Sequence, residues 1–366
     1  MKISRKARVN DEPLGSNTPL SALNTFFECR IYPKVIGKKQ RELLRQFTRI
    51  RPLVLNIETT NVCNAVCGFC AYPRSNREKG VMSLSLFEKI VKEYADMGGG
   101  ALNLTPIVGE PLLDPYLLDR FKILKSYPKI NRVSLATNAI ALEKYTDEQV
   151  GELLQTVSYL VVSIGGLDAG SYKSVFGVDK FHKVEVAMER LIRLRDTVPN
   201  SAPLCFGFRT NDPEFAARYK NKLMEYRDRG VAVHHISAYH DFGGFIDTGE
   251  ENPLAFFESH SNMHRTCIYP AIMVSICWDG TVTACGDSDF DAKLHVLGHA
   301  AEENIAAICS GEKRRKMLDS FEKGELTDTC KKCSAYVPDI VFARPIFSKV
   351  KPDEPLPLEF FSKVMI

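Results

Sequence analysis

From residue 53 onward, short apolar runs alternate with amphipathic stretches. Leu53–Glu58, Ala101–Thr105, Arg132–Ala136, Tyr159–Ile164, Leu204–Phe208 and Val231–Ser237 have strand length and read as β-strands. Between the first two, Ser83 or Ser85 is the candidate cap of a helix. Its apolar positions Phe87, Ile90, Val91 and Tyr94 recur at i, i+3, i+4 and i+7, and Gly98-Gly99-Gly100 ends it. Further helices are predicted near Tyr116–Lys125, Asp147–Gln155, Lys180–Arg195 and Ala216–Arg229. Strands separated by helices imply parallel pairing through right-handed crossovers. Periodicity alone leaves open whether that sheet is open, closed or a partial barrel.

The pattern changes after the sixth strand. Ala271–Cys277 and Thr281–Cys285 are β-prone runs around Trp278-Asp279-Gly280, which predicts a hairpin whose glycine supplies the positive φ of a tight primed turn. Residues 1–50 read as an N-terminal extension with a helix over Lys38–Phe47, short for a separate peptide-recognition domain. Residues 51–250 carry the alternating pattern, 251–340 a second unit, and 341–366 a tail.

Composition narrows the class. With 366 residues, 45% hydrophobic and 25% charged, the chain has the make-up of a soluble globular protein large enough for a well-buried core. A net charge of +3 argues against a nucleic-acid surface, which needs clustered positive excess. The runs Lys38-Lys39-Gln40-Arg41 and Lys313-Arg314-Arg315-Lys316 are read as solvated helix faces. No apolar stretch reaches the length of a membrane span and the first residues lack a secretory core, so a cytoplasmic protein is expected. Eleven cysteines, an odd count, then favour reduced thiols and metal ligands over a disulfide framework.

Two cysteine sets carry the chemistry. Cys63, Cys67 and Cys70 stand at C-x3-C-x2-C spacing on one loop after the first strand. Three thiolates fall one short of a tetrahedral zinc site, but they hold three irons of a [4Fe–4S] cube and leave the fourth open. Cys267, Cys285, Cys330 and Cys333 supply four thiolates, enough to close either a [4Fe–4S] cluster or a zinc site, and the spacing does not choose between them. Cys29, Cys205, Cys277 and Cys309 remain, of which Cys205 and Cys277 lie in apolar strand runs where a buried free thiol is common.

The three-cysteine loop, with Phe69 before its last cysteine, resembles the signature of the radical S-adenosylmethionine (SAM) superfamily. The resemblance implies a partial (β/α)6 TIM-like barrel with its active site at the C-terminal strand ends. It also implies SAM chelated at the open iron and cleaved reductively to a 5′-deoxyadenosyl radical, with a reductant such as flavodoxin or ferredoxin. Phe69 and Tyr72 then belong to the SAM pocket. Gly109-Glu110-Pro111 resembles the family's Gly-Gly-Glu motif, with Val108 at its first glycine, and Glu110 is expected to accept from the SAM ammonium. Thr137-Asn138 and Ser163 follow as further SAM contacts. Gly165 stands where relatives have Asp and Phe176 where they often have Arg, which leaves Lys173 as the substitute for pairing the SAM carboxylate.

The second set, with Gly280, Gly286-Asp287 and Leu297-Gly298-His299 between its cysteines, resembles the small α+β SPASM/twitch extension of the same family. The absence of further cysteines after Cys333 and the intervals between these four resemble the twitch-type aminocyclitol dehydrogenase. Two [4Fe–4S] clusters are therefore implied, one binding SAM and one auxiliary. Arg209, at the end of strand five, Tyr239 and His240, after strand six, and Cys277 are the candidate catalytic residues. The implied activity is dehydrogenation of a small sugar or cyclitol alcohol, with the auxiliary cluster as electron acceptor. Epimerisation with a cysteine hydrogen donor and maturation of a ribosomal peptide are the alternatives.

Overall fold

The computed structural model describes residues 46, 48–210, 212–246 and 267–335. Cys29, nearly all of the helix expected over Lys38–Phe47, and the tail 341–366 lie outside them. In chain order the elements are β1 (Val54–Ile57), α1 (Leu84–Asp96), β2 (Gly100–Asn103), α2 (Leu117–Lys125), β3 (Ile130–Thr137), α3 (Asp147–Thr156) and β4 (Tyr159–Ile164). There follow α4 (Ala169–Phe176), α5 (Phe181–Thr197), β5 (Leu204–Arg209), α6 (Phe215–Arg218), α7 (Lys220–Asp228) and β6 (Ala232–Ile236). The second unit adds α8 (Tyr269–Ile272), β7 (Met273–Ile276), β8 (Thr281–Thr283), β9 (Val296–His299), α9 (Ile305–Cys309), α10 (Glu312–Glu322) and α11 (Asp328–Lys332).

Local sequence explains the first crossover. Ser83 is the cap, its hydroxyl accepting from Leu86 N at 3.2 Å, and α1 buries Phe87, Ile90, Val91 and Tyr94. Each such side chain contributes about 1.5–3 kcal/mol on leaving water. The helix expected over Ala216–Arg229 is instead two, broken at Tyr219. Helix α4 was not anticipated; Asp168 caps it through Ser171 N at 2.8 Å.

All strands among the described residues form one nine-stranded sheet in the order β6-β5-β4-β3-β2-β1-β7-β8-β9. The first six run parallel, and β7 joins the free edge of β1, also in parallel, with Ile57 opposite Ile276. The hairpin of the second unit thus continues the barrel sheet. Its turn is not the tight primed turn expected: Cys277 N donates to Thr281 O, Gly280 N to Cys277 O, and Gly280 carries φ 99° in a three-residue loop.

Alternation along the strands separates two faces. Leu55, Leu102, Leu135, Val162, Phe206 and Val274 pack with the helices in the main core. The opposite, inner face carries Asn56, Asn103, Ser134 and Ser275, which stand in register on four adjacent strands. They bond in a row: Ser134 Oγ to Asn103 Oδ1 (3.1 Å), Asn103 Nδ2 to Asn56 Oδ1 (3.0 Å) and Asn56 Nδ2 to Ser275 Oγ (3.3 Å).

The basic run at 313–316 is not a solvated face throughout. Arg314 is fully buried and donates to the carbonyls of Pro270 (3.1 Å), Ala271 (2.7 Å) and Cys309 (2.9 Å). Backbone acceptors at the entry to β7, which water does not reach, explain why this cation is tolerated inside. A second buried arginine, Arg120, is paired with Asp114 at 2.6 Å and lies over the Phe87 ring. This pair holds the loop after β2 against α1. Replacing Asp114 with Ala strands the guanidinium, and urea denaturation is expected to show a loss of about 3–5 kcal/mol. A loss below about 1 kcal/mol would show that the pair does not anchor the loop.

Candidate active site at the C-terminal strand edge

The three-cysteine loop leaves the C-terminal end of β1 and returns to α1, and both limbs are bonded together. Thr60 Oγ1 donates to Gly80 O (2.9 Å), Asn61 Nδ2 to Glu78 O (2.7 Å), Gly80 N to Asn61 Oδ1 (2.8 Å) and Met82 N to Thr59 O (2.8 Å). Glu58, wholly buried, takes two parallel bonds of 2.7 Å from Arg77. The second unit grips the same loop: Trp278 Nε1 donates to Glu78 O at 3.1 Å, and Ser75 Oγ to Asp291 Oδ1 at 2.8 Å.

Within the loop, Tyr72 N donates to Cys70 Sγ at 3.4 Å and Tyr72 Oη to Cys63 O at 3.2 Å. Burial pushes the Cys63 thiol up to about 12 and raises Cys67 and Cys70 as well. The metal-free thiols are therefore protonated at neutral pH, and loading iron on them releases protons.

The Gly-Glu-Pro turn abuts this loop. Glu110 N donates to Val62 O at 2.8 Å, and a Cβ on Gly109, at φ 138°, would stand 2.6 Å from Thr60 O. Glycine is required there both by conformation and by space. The Glu110 carboxylate was expected to serve SAM; three of its acceptor positions are taken by the chain itself. Leu112 N (3.1 Å) and the Thr137 hydroxyl reach Oε1, and Asn138 N reaches Oε2 at 2.8 Å. Oε2 keeps acceptor capacity, and burial lifts the group to about 7 against those bonds. Thr137 accordingly faces Glu110, whereas Asn138 Nδ2 donates to Asn64 Oδ1 of the cysteine loop at 2.8 Å.

Several departures from the family pattern have packing reasons. Val108 is buried with Ala71 and Phe290 in a small cluster that Cys70, Tyr72 and Ile107 join, so it fills space between the two cysteine sets. Gly165 and Phe176 are linked: a Cβ at 165 would stand 2.8 Å from Phe176 Cδ2, and 3.0 Å from the Tyr172 backbone. Phe176 meets Phe69 edge-on at 5.8 Å and stacks on Tyr172 at 4.9 Å. Lys173 is exposed on α4, away from the buried face formed by Tyr172, Val175 and Phe176. Ser163, by contrast, is half-buried near the end of β4 on the inner face.

Of the candidate catalytic residues, Arg209 and Tyr239 meet at Phe69. Tyr239 stacks on that ring at 4.8 Å, and the Arg209 guanidinium lies 5.0 Å from its centre. His240 faces Asp287 across the gap to the second unit; burial lowers the imidazole pKa and Asp287 opposes the shift. Cys277 is fully buried on the inner face beside Glu58 and Arg77, and Cys205 is buried on that face of β5.

The second set converges. Cys267, Cys285, Cys330 and Cys333 line one cavity of about 360 Å³, part of it open solvent, together with Tyr269, Asp287 and Ser288. Asp289, a residue without a sequence signal, follows the lining residue Ser288 and accepts from Thr283 Oγ1 (2.8 Å), Lys293 N (2.8 Å) and His295 N (2.8 Å). Asp241 accepts from Ser334 Oγ, next to Cys333, at 2.7 Å. Among the described residues, no three His, Cys, Asp or Glu side chains are gathered as a single-ion site. The all-sulfur donor set suits an iron–sulfur cluster.

Comparison with known proteins agrees with this geometry. The radical SAM superfamily model matches residues 57–220, and the iron–sulfur cluster-binding (SPASM) domain model matches residues 267–334. GTP 3′,8-cyclase of Vibrio vulnificus is 29% identical over 140 residues, 37% of this chain and 40% of that protein. The Mannheimia succiniciproducens enzyme of the same name is 30% identical over 177 residues, 47% of this chain and 50% of that protein. The chain thus spans 40% to 50% of the length of these curated relatives. Among solved structures, BtrN in complex with AdoMet and 2-DOIA superposes with a TM-score of 0.52 at 19% identity, covering 77% of this chain and 93% of BtrN. Streptococcus suis SuiB bound to precursor peptide SuiA gives 0.55 at 16% identity, covering 96% and 83%. At such identities the likeness is one of fold.

The Gly165–Phe176 contact is open to a double-mutant test. Gly165→Ala is expected to cost about 1–3 kcal/mol in urea unfolding through overpacking. In a Phe176→Leu background that cost should shrink without vanishing, because the Tyr172 backbone stays 3.0 Å from the same position; an undiminished penalty would mean that Phe176 is not the group in the way.

Proposed function

The chain is a radical SAM enzyme with a C-terminal SPASM domain, and from that premise we propose that it dehydrogenates a small hydroxylated molecule of the sugar or cyclitol kind. In this reading residues 51–250 are the catalytic barrel and 251–340 the auxiliary unit, in a cytoplasmic protein. Cys63, Cys67 and Cys70 hold the SAM-binding [4Fe–4S] cluster, and Cys267, Cys285, Cys330 and Cys333 hold a second one. Phe69, Tyr72, Gly109, Glu110, Pro111, Asn138 and Ser163 form the SAM pocket, with Thr137 fixing Glu110. When bound and reduced, this SAM–cluster pair supplies a 5′-deoxyadenosyl radical that takes a hydrogen atom from a substrate carbinol carbon.

The observation that carries dehydrogenation is the ring of four thiols about the second cavity. Four protein ligands leave no iron free for substrate, which suits an electron acceptor. His240, kept neutral by burial, takes the hydroxyl proton as the carbonyl forms, and a cluster held by the four thiols would accept the second electron. The polar row from Ser134 to Ser275 supports a hydroxylated substrate, because it gives the inner face amide and hydroxyl groups where an apolar ligand would need hydrocarbon.

Epimerisation is the second reading. Cys277 and Cys205 favour it, as thiols on the inner face able to return a hydrogen atom to a substrate radical. Deuterium separates the two: an epimerised product carries solvent hydrogen, whereas a ketone does not.

Anaerobic reconstitution is expected to load about eight irons, falling to about four when Cys63, Cys67 and Cys70 are replaced by Ala. Retention of all the iron would remove the ligand assignment. Incubation with dithionite and SAM should yield 5′-deoxyadenosine, and deuterated cyclitols, sugars and GTP then test substrate class by transfer of deuterium into it.

Glu110 adds a pH signature. Its raised pKa of about 7 leaves it protonated below that pH in the SAM-free protein, and the SAM ammonium favours its ionised form. Affinity for SAM, measured calorimetrically under anaerobic conditions, should therefore weaken as pH falls through about 7, by up to about tenfold per unit of pKa that binding displaces. In Glu110→Gln this slope should vanish; an equal slope in both proteins would assign it to another group.

A further inference from the structure

Arg209 closes β5 on the inner face, two positions beyond Gly207 and four beyond Cys205. Its guanidinium lies over the ring of Phe69, the residue between the second and third cysteines of the loop. That ring is fixed from other sides by Tyr239, stacked at 4.8 Å, and Phe176, edge-on at 5.8 Å. The arginine is thus held against the cysteine loop by an aromatic cluster. The groups that would favour its charge once ionised are Tyr239, Cys67, Cys70 and Cys205, and burial raises the pKa of each.

A half-buried cation beside groups that are neutral at pH 7 is unfavourable unless an anion compensates it. Neutral thiols do not provide one. Thiolates at Cys67 and Cys70 do, so the surroundings of Arg209 are completed when that set binds its cluster. Adding one electron increases the negative charge beside the same guanidinium, and a fixed cation stabilises the more negative state.

We propose that Arg209 acts through the cysteine set and not on the substrate: held over Phe69 as the counter-charge to Cys67 and Cys70, it is a positioning residue that raises the reduction potential of the cluster bound there. The proposal rests on Cys63, Cys67 and Cys70 being the ligands. It narrows the role of Arg209 from substrate contact to control of electron entry from the external reductant.

The test is a redox titration of the reconstituted full chain, with dithionite as reductant and electron paramagnetic resonance as readout, in the absence of SAM and substrate. The two clusters are told apart with the Cys63, Cys67 and Cys70 triple-Ala protein, which retains only the auxiliary signal. For Arg209→Gln the reduction equilibrium of the SAM-binding cluster is expected to become about tenfold less favourable, 59 mV more negative for one electron, with iron content unchanged. Arg209→Lys, which keeps the charge, should stay within about threefold of wild type, and the auxiliary signal should not move. A change of less than about twofold in Arg209→Gln with iron retained overturns the proposal, as does an equal shift in both clusters. Should Arg209→Gln fail to load iron, Phe69→Leu is decisive. It removes the surface that holds the guanidinium, so a shift in the same direction supports the proposal and an unchanged potential overturns it. A triple-Ala protein that keeps all its iron defeats the ligand reading itself, and this proposal with it.

Discussion

The buried pair of Glu58 and Arg77 is the constraint on which the active edge depends. Glu58 follows β1 directly, bonds through its backbone to β7, and carries the inner-face carboxylate at the point where the cysteine loop departs. Arg77 comes from the returning limb of that loop, and Val108 N, beyond the end of β2, donates to the same carboxylate at 3.3 Å. One carboxylate thus fixes the loop's exit, its return, the neighbouring turn and the junction with the second unit. Buried pairs are poor sources of net stability, because desolvation offsets most of the attraction. Their removal one partner at a time is costly, however, and that asymmetry makes the loop adopt one arrangement in place of many.

This anchoring explains what was legible in the sequence and what was not. The six parallel strands were legible because each is a short apolar run followed by a helix with its own signals, such as the Ser83 cap. The cysteine sets were legible because ligand spacing is a local property, and the four distant thiols of the second set do line one cavity. What could not be read is pairing between distant segments. The addition of β7 to the edge of β1 follows from backbone complementarity across more than two hundred residues. Arg314 looked like part of a solvated run because nothing nearby in sequence shows that it meets three carbonyls from other elements.

The motif departures follow the same logic. Gly165 and Phe176 appear in the sequence as two separate losses from a pattern, eleven residues apart. In the fold they are one exchange, an aromatic ring entering the space that a side chain at 165 would need. The ring then braces Phe69 and, through it, the loop. Val108 similarly trades a glycine for apolar contact with Phe290 of the second unit. Both changes increase packing around the cysteine loop, and both tie it more firmly to neighbouring parts of the chain.

That firmness bears on how two metal-binding sets work together. Electron transfer over a fixed gap needs the gap to stay constant, and here the loop and the second unit share a hairpin contact at Trp278, an apolar cluster at Phe290 and a strand pairing at β1 and β7. Gly286, next to Cys285, lies so close to Ile107 that a Cβ there would stand 2.8 Å away, and 3.2 Å from Ser275 Oγ of the polar row. The inner face of the barrel therefore runs directly to the wall of the auxiliary cavity. In the proposed reaction, a hydroxylated molecule bound along that face would need no mobile carrier to pass an electron onward, because Gly286 joins that face to the wall of the cavity.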